Sequence, residues 1–167
     1  IDKYLPQFRK INIVKKNFNN IDETYQSNNI PTIKQLLQHT AGFTYNSSNN
    51  IVGEEYDKRK IFLSGQTSLE EEIENLSQLP LLFEPGSKWH YSVSIDILSR
   101  ILEIITKDKL INILQDNIFS ILKMEKTNFF IDEDRNQDLV ETFEYSKKNK
   151  KIQNLNLDSR KLINYFY

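Results

Sequence analysis

Leu79-Pro80-Leu81-Leu82-Phe83-Glu84-Pro85-Gly86-Ser87-Lys88-Trp89-His90-Tyr91-Ser92-Val93-Ser94-Ile95-Asp96 is the most informative stretch of the chain. Pro80 ends a helical pattern, because it lacks the amide that a helix needs. Glu84-Pro85-Gly86-Ser87 reads as a turn, Pro presetting one dihedral and Gly permitting the next. Past Ser94, Ile97, Leu98, Ile101, Leu102 and Ile105 recur at helical spacing and predict a helix over 94–106. Ser92 or Ser94 is positioned to cap it, and Asp96 suits the positive end of its dipole. The turn thus delivers Trp89, His90 and Tyr91 to the mouth of a helix, where a phenol would lie beside unpaired amides. On the residues alone, this aromatic cluster reads as an anchor packed on the core, with Trp89 and His90 bracing the turn and Ser92 serving as a cap.

Outward from that stretch, residues 1–30 read mostly as loop. Thr32-Ile33-Lys34-Gln35 is a capping-box pattern that opens a helix over 32–39, with Ile33, Leu36 and Leu37 as its apolar face. Gly42 follows, where a left-handed residue is wanted, and His39 is expected to bond the last carbonyls. Residues 44–67 are polar and irregular, with a short helix expected near 54–62. Ser68-Leu69-Glu70-Glu71 opens a second capped helix over 69–78, and Leu110, Ile111, Leu114, Ile118 and Ile121 predict another over 109–122. Residues 127–131 and 139–145 read as strands.

Composition removes several classes of function. The 167 residues hold 22 Lys and Arg against 23 Asp and Glu, interspersed, for a formal net charge of -1. No basic face tracks phosphate, so nucleic acid is not an expected partner. Lys147, Lys148, Lys150 and Lys151 form one basic cluster and read as a solvated loop. Without cysteine there is no disulfide, thiolate catalysis or Cys-based zinc site, and two distant histidines, His39 and His90, make no metal site. No apolar run approaches a membrane span. The chain opens on Ile1 rather than Met and closes on Leu162-Ile163-Asn164-Tyr165-Phe166-Tyr167; both ends read as cuts through a larger domain.

Four scattered glycines build neither a Gly-x-Ser-x-Gly elbow nor a phosphate loop. Ser120-Ile121-Leu122-Lys123 has the Ser-x-x-Lys spacing that puts nucleophile and lysine one helical turn apart, but it falls at a helix end, where such a serine is misplaced. Lys126-Thr127-Asn128 imitates Lys-Thr-Gly without the glycine. Both read as chance.

The stretch 79–96 and its continuation resemble the "PLxFxPGxxWxYSVxxDxLGRxxExxxG" block of β-lactamase-related serine hydrolases, the esterase branch in particular. Pro31-Thr32-Ile33-Lys34-Gln35-Leu36-Leu37-Gln38-His39-Thr40-Ala41-Gly42-Phe43 resembles the family's "ITIxxLLxHTSGL". Tyr4-Leu5-Pro6-Gln7-Phe8 resembles "KYLPEF", and Ile118-Phe119-Ser120-Ile121-Leu122-Lys123-Met124 resembles "IFEPLGM". These blocks occur in family order over residues 3–131. Ser99, Lys107 and Lys123 stand where the pattern has glycine.

The resemblance implies an α/β (α+β) β-lactamase/transpeptidase-like fold, of which residues 1–167 would be an internal fragment of a single domain, mainly its helical subdomain with little strand. It assigns Tyr91 the role of the phenol that exchanges protons with a nucleophilic serine, and it places Phe43, Thr44, Tyr45 and Val93 at the substrate. In the family's Tyr-x-Asn motif the third residue is an amide that contacts the lysine and the substrate of β-lactam-processing members. Val93 has no hydrogen-bonding side chain. That departure favours an esterase over a β-lactamase. The implied partner is a small-molecule ester or amide, with no cofactor. The Ser-x-x-Lys and the Lys-Thr-Gly-like strand are expected outside these residues, so the piece alone is expected to be inactive. The alternative is a pseudoenzyme or binding module that keeps the cleft without the nucleophile.

Overall fold

A computed structural model describes residues 1–15, 20–46, 48–63, 67–129, 143–146 and 150–154. Two strands, β1 (Asn12–Val14) and β2 (Thr24–Gln26), pair antiparallel with Ile13 opposite Tyr25. The free edge of β1 takes Leu81 in a parallel bridge, Leu81 N donating to Asn12 O at 2.8 Å and Val14 N to Leu81 O at 3.0 Å. Five helices follow: α1 (Ile33–Leu37), α2 (Ile51–Arg59), α3 (Leu69–Ser77), α4 (Ser94–Thr106) and α5 (Leu110–Leu114). A second hairpin joins β3 (Phe143–Ser146) to β4 (Lys151–Asn154).

The helix starts follow from local chemistry. Both capping boxes form: Gln35 N donates to Thr32 Oγ1 and Thr32 N to Gln35 Oε1, while Glu71 N donates to Ser68 Oγ and Ser68 N to Glu71 Oε2. Helix α4 packs against α1, α3 and α5. It buries Ile97 and Ile101 in a core that includes Leu5, Phe8, Ile13, Leu36, Tyr56, Ile73 and Leu76. Each such side chain contributes on the order of 2 kcal/mol of hydrophobic stabilisation.

Several expectations need correction. The first 30 residues contain a hairpin rather than loop alone, and α2 begins earlier than 54 because Asn50 caps it, its Oδ1 accepting from Gly53 N at 2.8 Å. The 109–122 helix is not regular throughout. After α5 it widens into a π-helical turn over Gln115–Phe119, with Ser120 N bonded to Gln115 O at 2.9 Å. Ser120 and Lys123 follow that turn; Ser120 Oγ accepts from Gln115 Nε2, and Lys123 is left-handed at φ 54°. Of the 127–131 strand, residues 127–129 are not extended in a sheet and the remainder lies outside the described residues. Of 139–145, the strand starts at Phe143 and residues 139–142 lie outside the described residues. Of the basic cluster, Lys150 and Lys151 are exposed, and Lys147 and Lys148 lie outside the described residues.

One backbone seam positions the rest. Residues 39–44 run beside residues 82–93 and meet them four times: Gly42 O accepts from Leu82 N at 2.8 Å, Thr40 O from Gly86 N at 2.7 Å, His39 O from His90 N at 2.9 Å and Thr44 O from Val93 N at 3.1 Å. Gly42 must be glycine, since at φ 95° a Cβ would lie 2.4 Å from Phe83 O. The turn at Glu84–Ser87 forms as read, with Ser87 N bonded to Glu84 O and Gly86 at φ 87°.

Candidate functional site

The seam ends at the mouth of α4, and Tyr91 stands out from it. The ring is 59% exposed, while its successors Ser92, Val93 and Ser94 are buried. Two rings lie against it. The His39 ring is 4.8 Å away, centroid to centroid, tilted by 34°, and the Tyr45 ring is stacked at 5.6 Å and 18°. Neither neighbour is near in sequence; the seam brings them there.

Beneath the phenol the polar groups are closed on one another. His39 Nδ1 lies 3.3 Å from Ser92 Oγ, which lies 2.7 Å from Ser94 Oγ. Asn50 Nδ2 donates to Thr44 Oγ1 at 2.9 Å, leaving the Thr44 hydroxyl proton for His90 Nε2, also at 2.9 Å. Both bonds are satisfied when His90 carries its own proton on Nδ1. Tyr56 lies buried below; burial pushes its hydroxyl well above the ordinary phenol range, against a backbone hydrogen bond at Thr44. Among the described residues no buried side-chain nitrogen or oxygen lacks a partner. Such closure gives the loop one conformation, since any rotation would strand a buried polar atom.

Two further groups titrate abnormally. Burial raises the Tyr45 phenol, and the charges of Asp96 and Tyr91 raise it further. Asp96, half-buried in the first turn of α4, is pushed up to about 6 by burial, against a hydrogen bond from its own amide. A carboxylate at the helix mouth is favoured by the dipole, yet here desolvation is the larger effect.

The residues expected at the substrate separate. Tyr45 is exposed beside Tyr91. The side chains of Phe43, Thr44 and Val93 are enclosed within the chain, Phe43 edge-on to Phe8 with centroids 5.8 Å apart. Those three side chains build the floor on which Tyr91 and Tyr45 stand. Trp89 does not brace the turn, being 68% exposed, whereas His90 does, through Thr44 and an edge contact with Phe83. Ser92 and Ser94 give α4 no side-chain cap, because their hydroxyls are turned to each other and to His39. His39 itself does not bond last-turn carbonyls through its ring but lies against Tyr91. Nothing in the periodicity of 32–39 signals that direction. Among the described residues no three His, Asp or Glu side chains converge as a metal site.

This exposed phenol on a helix mouth, over a closed polar floor, belongs to a known fold. The sequence profile of the β-lactamase family matches residues 1–161, and the chain belongs to that family. It is similar to the lovastatin esterase of Penicillium rubens, 26% identical over 99 residues that span 59% of this chain and 24% of the esterase. It is also similar to esterase EstB of Burkholderia gladioli, 36% identical over 75 residues, 43% of this chain and 19% of EstB. Simvastatin synthase LovD from Aspergillus terreus shares the fold, with a TM-score of 0.69 at 19% identity over 98% of this chain and 40% of LovD. The chain thus matches less than half the length of each. The architecture is a helix-rich part of the β-lactamase/transpeptidase fold.

Proposed function

We propose that the protein containing this chain is a serine hydrolase working by acyl transfer on a small-molecule ester or amide, with Tyr91 as its acid and base. The observation that carries the reading is the contrast at Tyr91: an exposed phenol directly before three buried residues, Ser92, Val93 and Ser94, with His90 and Ser92 on either side of it held by hydrogen bonds. Two matched relatives bear the name esterase. In this reading residues 1–167 are an internal part of one hydrolase domain, and a serine on a Ser-x-x-Lys helix outside them attacks the carbonyl carbon. As the Oγ–carbon bond forms, the hydroxyl proton passes to the Tyr91 oxygen. It is returned to the leaving oxygen or nitrogen as that bond breaks, and water repeats the sequence to release the acid. In this reading the lysine of that helix lies beside the phenol, where a cation favours the phenolate that accepts the proton. Tyr45 is the side chain of this chain that would border the substrate. Val93 in place of an amide favours esters over β-lactams.

The test is Tyr91→Phe in the full-length protein. The ring stays, so the melting temperature should hold, while kcat/KM on the best p-nitrophenyl ester should fall on the order of 10²–10⁴-fold. Wild-type kinetics in that variant would refute the role, and turnover by residues 1–167 alone would refute the need for an outside nucleophile.

A further inference from the structure

We propose that His39 is the positioning residue of the Tyr91 phenol. This rests on the assignment of Tyr91 and names the residue that aims it.

His39 meets the Tyr91 loop in three ways at once. Its carbonyl accepts from His90 N at 2.9 Å, its Nδ1 lies 3.3 Å from Ser92 Oγ, and its ring lies 4.8 Å from the Tyr91 ring. These contacts fall on residues 90, 91 and 92, so one side chain and its carbonyl bracket the phenol on both sides along the chain. Tyr45 adds a stacked ring at 5.6 Å. The Ser92 hydroxyl continues to Ser94 Oγ at 2.7 Å, in the first turn of α4, so the His39 imidazole is tied to the helix as well as to the loop.

The backbone of His39 makes the same point. After α1 the chain turns at His39, whose φ is 53°, in the left-handed region that costs most side chains on the order of 1 kcal/mol. Glycine adopts that conformation freely, and histidine, like asparagine, is among the side chains that tolerate it best. The left-handed turn points the imidazole away from α1 and across the seam to Ser92 and Tyr91.

That geometry provides a clean experiment, because His39→Gly removes the ring while relieving the backbone. His39→Asn keeps a left-handed-tolerant polar residue that is too short to stack, and it serves as the second variant should the glycine loosen α1. In residues 1–167 with ¹³C-labelled tyrosine, both variants should shift the Tyr91 ring resonances and increase the fast motion of residues 90–92, with the melting temperature nearly kept. In the full-length protein, kcat per folded molecule should fall about 10- to 100-fold, the weight of a misplaced catalytic group, with KM changed much less. Unmoved Tyr91 resonances, or an unchanged kcat, would overturn the proposal. Failure of the hydrolase reading is separately visible: Tyr91→Phe would then leave kinetics unaltered, while the resonance shifts would still report whether His39 holds the ring.

Discussion

The two faces of α4 are finished to different degrees. At its N-terminal mouth, the polar groups beneath Tyr91 are paired with residues 39–50, while Tyr91 and its ring neighbour Tyr45 meet solvent. Along its outer side, Ile95, Leu98, Leu102 and Ile105 join Ile33 and Leu37 around an apolar groove of about 640 Å³, with Ile105 52% exposed. In the first region the polar side chains beneath the ring find their hydrogen bonds within this chain. The second leaves apolar surface open among the described residues, which a folded protein ordinarily limits. Residues 39–50 thus hold the loop that carries the phenol, whereas the outer side of α4 contributes little to holding it.

Three substitutions break or sharpen this contrast. Gly42→Ala should have the largest effect, because its Cβ would meet Phe83 O at 2.4 Å and the residue is held at φ 95°. A loss of about 3 kcal/mol in urea denaturation is expected. A loss below about 0.5 kcal/mol would mean the seam is not rigid.

Asp96 lies on the border between the two regions, and its effect is pH-dependent. Its pKa is raised by burial from 3.8 to about 6 in the folded chain. Between those values the folded state keeps a proton that the unfolded state has lost, so this group's contribution to stability falls as pH rises from about 4 to about 6 and stays low above that. Allowing for partial solvation, the cost at neutral pH is about 2 kcal/mol. Asp96→Asn should therefore raise stability at pH 7 by about that amount and change it little at pH 4. A wild-type-minus-variant difference that is flat between pH 4 and pH 7 would count against the burial of this carboxylate.

The smallest effect belongs to the open side. Ile105→Gln should change the stability of residues 1–167 by less than about 0.5 kcal/mol, because the side chain already meets water. A loss of 2 kcal/mol would show that this face is covered after all.

Much of this was legible from local chemistry. The capping boxes at Thr32 and Ser68, the glycine turn at Gly86 and the period of α4 act within a few residues, and a side chain that bonds an amide three positions away does so in nearly any fold. The order of the motif blocks likewise pointed to the family and singled out Tyr91. What the sequence could not specify is which way the residues between those elements face. Phe43, Thr44 and Val93 turn inward, Tyr45 outward, and His39 across to Tyr91, because hydrogen bonds between residues 39–44 and 82–93 set their rotation. The serines of 92 and 94 looked like caps for the same reason: a hydroxyl bonds whichever partner is nearest, and His39, 53 residues away, is a partner only the tertiary structure supplies.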